Sequence, residues 1–397
     1  MRLSVRAASV LALALTAAVT TVSNVAGAAP STGRSIVYDG ARIAVPASWP
    51  VYNLDENPTQ CVRFDVHAVY LGHPGANQNC PAHLVGRTTA MLVEPYDSKA
   101  QVAAPDPDAG ATQTVTSNGR ALITASYGAD GPQSAASVIR PTAVRAGTPA
   151  AKSATVKPAA TTGPKISTGY GFDTCTAPDA PSMLAWKAPA SAFKSVGIYI
   201  GGINRACPDG NLSTSWINTV RGYGYTFIPT YVGRQAPCSK VGTKISTNPT
   251  QATTNGHDAA VNAIHLMQHF GFGAHTPVYL DLEQYDTGNA VCTRSVQRFL
   301  DAWVKRLHPS GYLGGVYISG TDTPDLMSAR KIKGFHLPDA VWIVRWNNRV
   351  SVYGDPTIPN NYWAPHKRVH QIRGPHDAKH GDVTLNIDTD YLDGPVA

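Results

Sequence analysis

Residues 169–397 are expected to fold as an α/β protein, a (β/α)8 TIM-type barrel. Three observations predict it. Short apolar runs recur eight times, at 169–175, 196–202, 225–233, 277–283, 311–319, 341–346, 368–372 and 385–392. Several gaps between them have a helical period. Asp258 to Phe270 carries Asp258 near its start and Gly271 just past its end, and Val296 to Leu307 is similar. The span, about 230 residues, is close to the ~250 that such barrels take. The nearest alternative is an open doubly wound sheet, which usually has a Gly-rich phosphate-binding turn after its first strand. Asp173-Thr174-Cys175-Thr176 is not one.

The elements ahead of the barrel read in order. Arg2 and Arg6 precede an apolar stretch from Val10 to Val22, and Ala26-Gly27-Ala28 supplies small residues at a cleavage point. Residues 1–28 are therefore expected to be a signal peptide, and the protein to be secreted, extracellular or associated with a cell wall. Residues 29–141 read as a small β-rich domain of no assigned role. Ser35-Ile36-Val37-Tyr38 and Arg42-Ile43-Ala44-Val45 flank a hairpin turn at Asp39-Gly40-Ala41. Strands are also expected within 61–71 and at 121–127. Residues 142–168 are mostly Ala, Thr, Pro, Ser and Lys, with no acidic or aromatic residue, and are expected to be a flexible linker.

Composition narrows the partners. Charged residues make up 15% of the 397-residue chain and hydrophobic ones 43%, which excludes a coiled coil and a charge-rich disordered protein. Beyond the first 30 residues no apolar run reaches the ~20 residues needed to cross a bilayer, so no membrane span is expected. The net charge of +7 is spread thinly. Without a dense basic stripe, nucleic acid is a poor partner, and an anionic polymer such as a cell-wall glycan is the better one. A monomer is expected. Export favours disulfides. The six cysteines divide as Cys61 and Cys80 before the linker, and Cys175, Cys207, Cys238 and Cys292 after it. Six cysteines allow 15 pairings. Even numbers on each side favour bridges within each part, with Cys61–Cys80, Cys175–Cys207 and Cys238–Cys292 as the expected set.

The chemistry is expected from carboxylates at strand ends. The barrel region has many aspartates but one glutamate, Glu283, which ends the run Pro277-Val278-Tyr279-Leu280-Asp281-Leu282-Glu283. Side chains alternate along a strand, so Val278, Leu280 and Leu282 share one face and Tyr279, Asp281 and Glu283 the other. The second face points into the barrel near its mouth, where such barrels carry their chemistry. Two carboxylates on one face repel, and one of them should hold its proton, as a general acid must. Asp173 ends the first strand, and Asn386, Asp388 and Asp390 share a face of the last. First and last strands are neighbours in a closed barrel, which sets Asp173 beside Asp388 with Asp281 and Glu283 across the mouth. Trp346 and Gln371 add an aromatic and an amide, which suits a sugar ring.

The segments Phe172-Asp173-Thr174-Cys175-Thr176-Ala177-Pro178, Tyr199-Ile200-Gly201-Gly202, Pro229-Thr230-Tyr231-Val232-Gly233, Tyr279-Leu280-Asp281-Leu282-Glu283-Gln284-Tyr285 and Ile387-Asp388-Thr389-Asp390-Tyr391-Leu392-Asp393 carry a resemblance. Residues 168–397 resemble the secreted glycoside-hydrolase-like domain known as domain of unknown function 1906. That family is similar to the lysozyme-like barrels of glycoside hydrolase family 25, which cleave peptidoglycan. The resemblance implies catalytic roles for Asp173, Asp281, Glu283 and Asp388, with Glu283 as general acid, and sugar contacts from Tyr231, Tyr285, Trp346, Gln371 and Asp390. Two departures stand out. On strand seven Gln371 is kept, but the aromatic after it is lost. On strand six Val344-Arg345-Trp346 replaces the usual Ala-x-Trp. The first domain resembles modules that precede such barrels in other secreted proteins.

No cofactor and no metal are expected. His265 and His269 lack the Glu that a zinc-protease motif places after the first His. His366, His370, His376 and His380 crowd one region but read as a solvated loop. No C-x-x-C and no G-x-S-x-G occurs. Clustered carboxylates also suit Ca²⁺, the competing reading of the strand ends. Asn211-Leu212-Ser213 is a formal glycosylation sequon. The functional expectation is a glycosidase acting on a cell-wall polysaccharide such as peptidoglycan. The alternatives are a glycan-binding envelope protein that keeps the cleft without turnover, and an adhesin whose working part is the first domain.

Overall fold

The computed structural model describes residues 33–97, 110–116, 118–138, 164–187 and 191–397. The expected signal peptide and residues 142–163 of the expected linker lie outside them. Lys165–Thr168, expected as linker, already belong to a strand.

The N-terminal module begins with a hairpin of β1 (Gly33–Tyr38) and β2 (Ala41–Pro46). Asp39 and Gly40 turn it with φ of 46° and 73°, the twist a two-residue antiparallel turn requires. A five-stranded sheet follows, built from β3 (Val51–Asn53), β4 (Val69–Leu71), β5 (Met91–Pro95), β6 (Ala111–Val115) and β7 (Ala121–Ser126), in the order β3-β4-β5-β7-β6. A short helix, α1 (Pro132–Val138), ends the module. Ile43, Val45, Trp49, Val69, Met91, Val93 and Ile123 form a core on one face, and Leu54, Val62, Phe64, Tyr70 and Leu92 form a second on the other. Of the strand expected within 61–71, only Val69–Leu71 forms. The residues before it are irregular and are tied down by Cys61–Cys80.

The second part is a closed eight-stranded barrel. Its strands are β8 (Lys165–Asp173), β9 (Phe193–Gly201), β10 (Thr226–Tyr231), β11 (Pro277–Leu282), β12 (Leu313–Ser319), β13 (Ala340–Val344), β14 (Arg368–His380) and β15 (Val383–Val396). Helices α2 (Ala180–Ala185), α3 (Thr214–Gly222), α4 (Pro249–His269), α5 (Ala290–Leu307) and α6 (Thr323–Ala329) cross between the first six strands. Asn248 and Asn289 cap α4 and α5 through their side chains. At Gly256 a Cβ would fall 2.2 Å from the Phe299 carbonyl, so α4 and α5 approach as closely as only glycine allows.

The architecture corrects the sequence expectation of a (β/α)8 TIM barrel. β8 to β14 run parallel, but β15 runs antiparallel to both of its neighbours. The physical reason lies in the connection. β14 and β15 are joined through Gly381 and Asp382 alone, and Gly381 has φ 59°. A parallel return needs a crossover of a dozen or more residues, whereas a two-residue link can make only a hairpin. No helix joins β13 to β14 either. The barrel is therefore mixed, with helices over part of its circumference.

Side-chain parity follows the expected alternation. Val278, Leu280 and Leu282 pack outward in the large core with the helices, beside Phe299, Trp303 and Ile264. Ile228, Tyr279, Tyr317, Trp342, Val369 and Leu392 fill the barrel interior. The disulfides are Cys61–Cys80, Cys175–Cys207 and Cys238–Cys292, the expected set.

Candidate active site

The interior layers end at one mouth in a ring of carboxylates. Asp173 closes β8 and lies in register with Asp388 of β15. Asp281 sits on β11, and Glu283 lies just past that strand's end. Asp173, Asp281 and Asp388 are fully buried, and the Glu283 side chain is 26% exposed. Gly197 of β9 makes room, since a Cβ there would lie 2.4 Å from the Asp173 Cβ.

Gln371 on β14 holds the first pair together. Its Nε2 donates to Asp173 Oδ2 at 3.0 Å and to Asp388 Oδ2 at 3.2 Å. Its Oε1 accepts from Tyr317 Oη at 3.2 Å and from Trp346 Nε1 at 2.9 Å. A buried amide with donors and acceptors engaged is rigid, and it fixes both carboxyls. Gln235 does the same for the second pair through the backbone. It donates to the Asp281 carbonyl at 2.9 Å and accepts from the Glu283 N–H at 2.7 Å.

The N-terminal module supplies the residue that sequence reading missed. His83 enters the mouth with its side chain 16% exposed. Its Nε2 lies 2.7 Å from Glu283 Oε1 and 3.9 Å from Asp281 Oδ2, and its Nδ1 lies 2.7 Å from Tyr199 Oη. The ring stacks on Tyr317 with centroids 5.6 Å apart. Tyr199 gives its one proton to Asp173 Oδ1 at 2.9 Å, so it accepts from His83 Nδ1. Glu283 accepts at Nε2. With an N–H on both nitrogens, His83 is an imidazolium.

Proton affinities follow. Burial works against the charged His83, but Glu283, Asp281 and Asp173 outweigh it and hold the group well above its ordinary 6.5. Burial raises Asp281 well above the usual carboxylate range, and the adjoining Glu283 adds to it. No donor reaches either Asp281 oxygen. Burial would lift Glu283 too, but the charge and hydrogen bond of His83 hold it below its ordinary 4.5. Burial, with Asp173 beside it, pushes Asp388 up to about 8. Within the Asp281–Glu283 pair, burial raises the proton affinity of Asp281 while His83 lowers that of Glu283.

The expected sugar contacts divide. Trp346, 60% exposed, and Gln371 stand at the mouth. Asp390 lies one layer deeper, fully buried, and accepts from Trp342 Nε1 at 2.9 Å. Tyr231 and Tyr285 are away from the mouth. Tyr231 is buried on the outer face against Trp303, and the Tyr285 hydroxyl donates to Asp325 at 2.7 Å in the core under α6. Parity explains the first, since Tyr231 shares the outward face of Phe227. Tyr199 and Tyr317 take the aromatic places instead, and alternation with Ile198, Ile200, Val316 and Ile318 marks both as inward.

Two overlapping sets, His83 with Asp173 and Asp388 and His83 with Asp281 and Glu283, bring ligand atoms within 4.8 Å of one another, but the imidazolium form of His83 has no lone pair to give a cation. The four histidines at 366–380 separate. His366 bonds Asp393, His370 reaches the Ser351 and Arg345 carbonyls, His376 bonds Gly374 and His380 packs edge-on against Trp186. The Asn211 amide donates to the Ala177 carbonyl at 2.8 Å and to Ala76 of the module at 2.6 Å, so the sequon side chain is used in packing.

Among solved structures, an uncharacterized B. stearothermophilus protein matches with 19% identity, over 56% of this chain and 95% of its own, at a TM-score of 0.37. The catalytic domain of endolysin ply40 from bacteriophage P40 of Listeria monocytogenes matches with 13% identity, over 57% and 94%, at 0.34. The modular autolysin LytC from Streptococcus pneumoniae matches with 11% identity, over 73% and 57%, at 0.35. No curated protein matches the chain. The family model described as Rv2525c-like, glycoside hydrolase-like domain matches residues 184–392, which hold β9 to β14, most of β15 and the carboxylates Asp281, Glu283 and Asp388. With more than half of its length matched, the chain belongs to the Rv2525c-like, glycoside hydrolase-like domain family.

Proposed function

We propose that the barrel is a glycosidase of a secreted protein and that it hydrolyses a cell-wall polysaccharide such as peptidoglycan. The observation that carries this reading is the convergence of Asp173, Asp281, Glu283 and Asp388 on one mouth lined by Tyr199, Tyr317, Trp346 and Gln371. Glycoside hydrolysis needs one carboxylic acid to protonate the leaving oxygen and one carboxylate to meet the positive charge on the sugar. Glu283, the most exposed carboxyl of the four, is the acid once His83 no longer holds it ionised. Asp281 and Asp388 face the charge that develops on the sugar, and Asp173, held by Gln371 and Tyr199, orients Asp388. Three disulfides suit an oxidising compartment, and no helix among the described residues is long and apolar enough to cross a membrane.

The test is release of reducing ends from purified peptidoglycan by the full chain and by its Glu283→Gln variant. Release that the variant lacks supports the reading. One observation favours a second reading, a glycan-binding protein without turnover: Glu283 is engaged as a carboxylate by His83. Binding to the wall by both proteins, with release by neither under any condition that displaces His83, would favour it.

A further inference from the structure

We propose that His83 is a plug, carried by the N-terminal module, that occupies the seat of the sugar ring and keeps the site latent until the segment Pro81–Gly86 withdraws. The inference rests on the glycosidase reading of the mouth.

The geometry is the ground. One imidazole touches both carboxylate pairs at once. Its nitrogens reach Glu283 at 2.7 Å and, through Tyr199, Asp173. Its ligand atom and those of Asp173 and Asp388 all lie within 4.8 Å of one another. A ring that acts as substrate must present its reacting carbon between these same groups, so ring and imidazole need the same volume. Stacking on Tyr317 fills the aromatic face that a sugar would use as well.

The segment is built to be held and to be released. The Cys61–Cys80 bridge anchors it just before Pro81. Beyond that, Ala82 N–H donates to Asn386 Oδ1 at 2.8 Å, Gly86 N–H donates to the Asn204 carbonyl at 2.9 Å, and Val85 forms an isolated bridge with Arg205. These contacts lie at the rim of the barrel, where Ala82 and Asn204 are buried by the docked segment. Withdrawal also changes the acid. His83 supplies the charge and the hydrogen bond that do most to keep Glu283 ionised, and once it leaves, burial favours the protonated form that a general acid needs. Access and acidity are then set by one movement.

The experiment uses the full chain and a soluble probe, the β-1,4-linked tetramer of N-acetylglucosamine, with binding followed by calorimetry and turnover by reducing-end release from purified peptidoglycan. A plug in place ~90–99% of the time weakens apparent affinity about 10- to 100-fold. His83→Ala is expected to bind the tetramer at least ~10-fold more tightly than the wild type and to release reducing ends faster. Asn386→Ala loosens the segment without emptying the seat, and gives a smaller change in the same direction. It also keeps the test open should His83→Ala fold poorly. Equal or weaker binding by both variants, or binding by none of the three proteins, overturns the plug. Tighter binding without reducing-end release in any of them refutes the hydrolase and leaves the plug standing. Wild-type hydrolysis as fast as that of His83→Ala refutes the plug and leaves the hydrolase standing.

Discussion

His83 Nε2 donates to Glu283 Oε1 at 2.7 Å across 200 residues of sequence, and this bond sets Glu283 apart from the other carboxyls of the mouth by lowering its proton affinity. Glu283 is held below its ordinary value by His83, and burial holds Asp281 above its own. Stability and activity therefore depend on the same small set of charges.

The first consequence is a pH dependence of stability. Asp388 has a folded value of about 8, and the groups that face it are Asp173, Asp390, His83, Glu283 and the Gln371 amide. An unfolded Asp titrates near ~3.9, so between about pH 4 and about 8 the folded state binds the extra proton and stability falls as pH rises. His83 acts in the same direction. Its raised value stabilises the fold below about pH 6.5, and that contribution is lost as pH climbs through the folded value. Glu283, lowered, opposes this only below its ordinary 4.5. Thermal unfolding should therefore give a higher Tm at about pH 5.5 than at about pH 8.5, with a flatter dependence in Asp388→Asn. A Tm that rises across this interval would contradict the assignment.

Asp281→Asn separates stability from chemistry. The wild-type carboxyl is fully buried with no donor to either oxygen, a costly state at neutral pH. An amide of the same shape removes the titration and brings an N–H donor next to Glu283. The variant is expected to keep or raise its Tm at pH 7, while reducing-end release drops at least ~10²-fold. A large loss of Tm would mean that the carboxylate form is what the fold needs.

Gln371→Leu should lower stability and turnover together. The amide serves Asp173, Asp388, Tyr317 and Trp346 at once. Its removal leaves the Tyr317 hydroxyl and two carboxyls short of partners, at about 1–3 kcal/mol each for groups that stay buried. Denaturant unfolding should show a loss in that range, and turnover should fall with it. Unchanged stability would mean that water takes over the amide's bonds.

Much of the barrel was legible in the sequence because alternation is a geometric property of any strand. Tyr279, Asp281 and the Asp173–Asp388 pairing follow from parity and closure alone, whichever way the last strand runs. Direction was not legible. β14 continues past Ile372 through alternating half-exposed residues to His380, and polar alternation of that kind reads as loop rather than as the arm of a hairpin. The start of α4 was hidden likewise. Its first turns, Pro249 to Thr254, are polar, and only the Asn248-Pro249 cap signals them. His83 was out of reach for a different reason. The module around it carries no motif, and what makes the residue matter is the docking of Phe64, Ala82 and Gly86 on the barrel rim, a tertiary fact with no local trace.

The reversed strand gives the mouth an unusual economy of parts. Because β15 runs against its neighbours, the chain arrives at the site from the solvent side and then descends into the barrel. Asn386, Asp388 and Asp390 follow one another on a single face: the first grips the Ala82 N–H, the second lies beside Asp173, and the third is locked to Trp342. A contact to the module, a carboxyl of the mouth and a buried anchor are thus three rungs of one ladder. A shift of the β14–β15 arm is therefore carried to the Ala82 contact through the same backbone that seats Asp388.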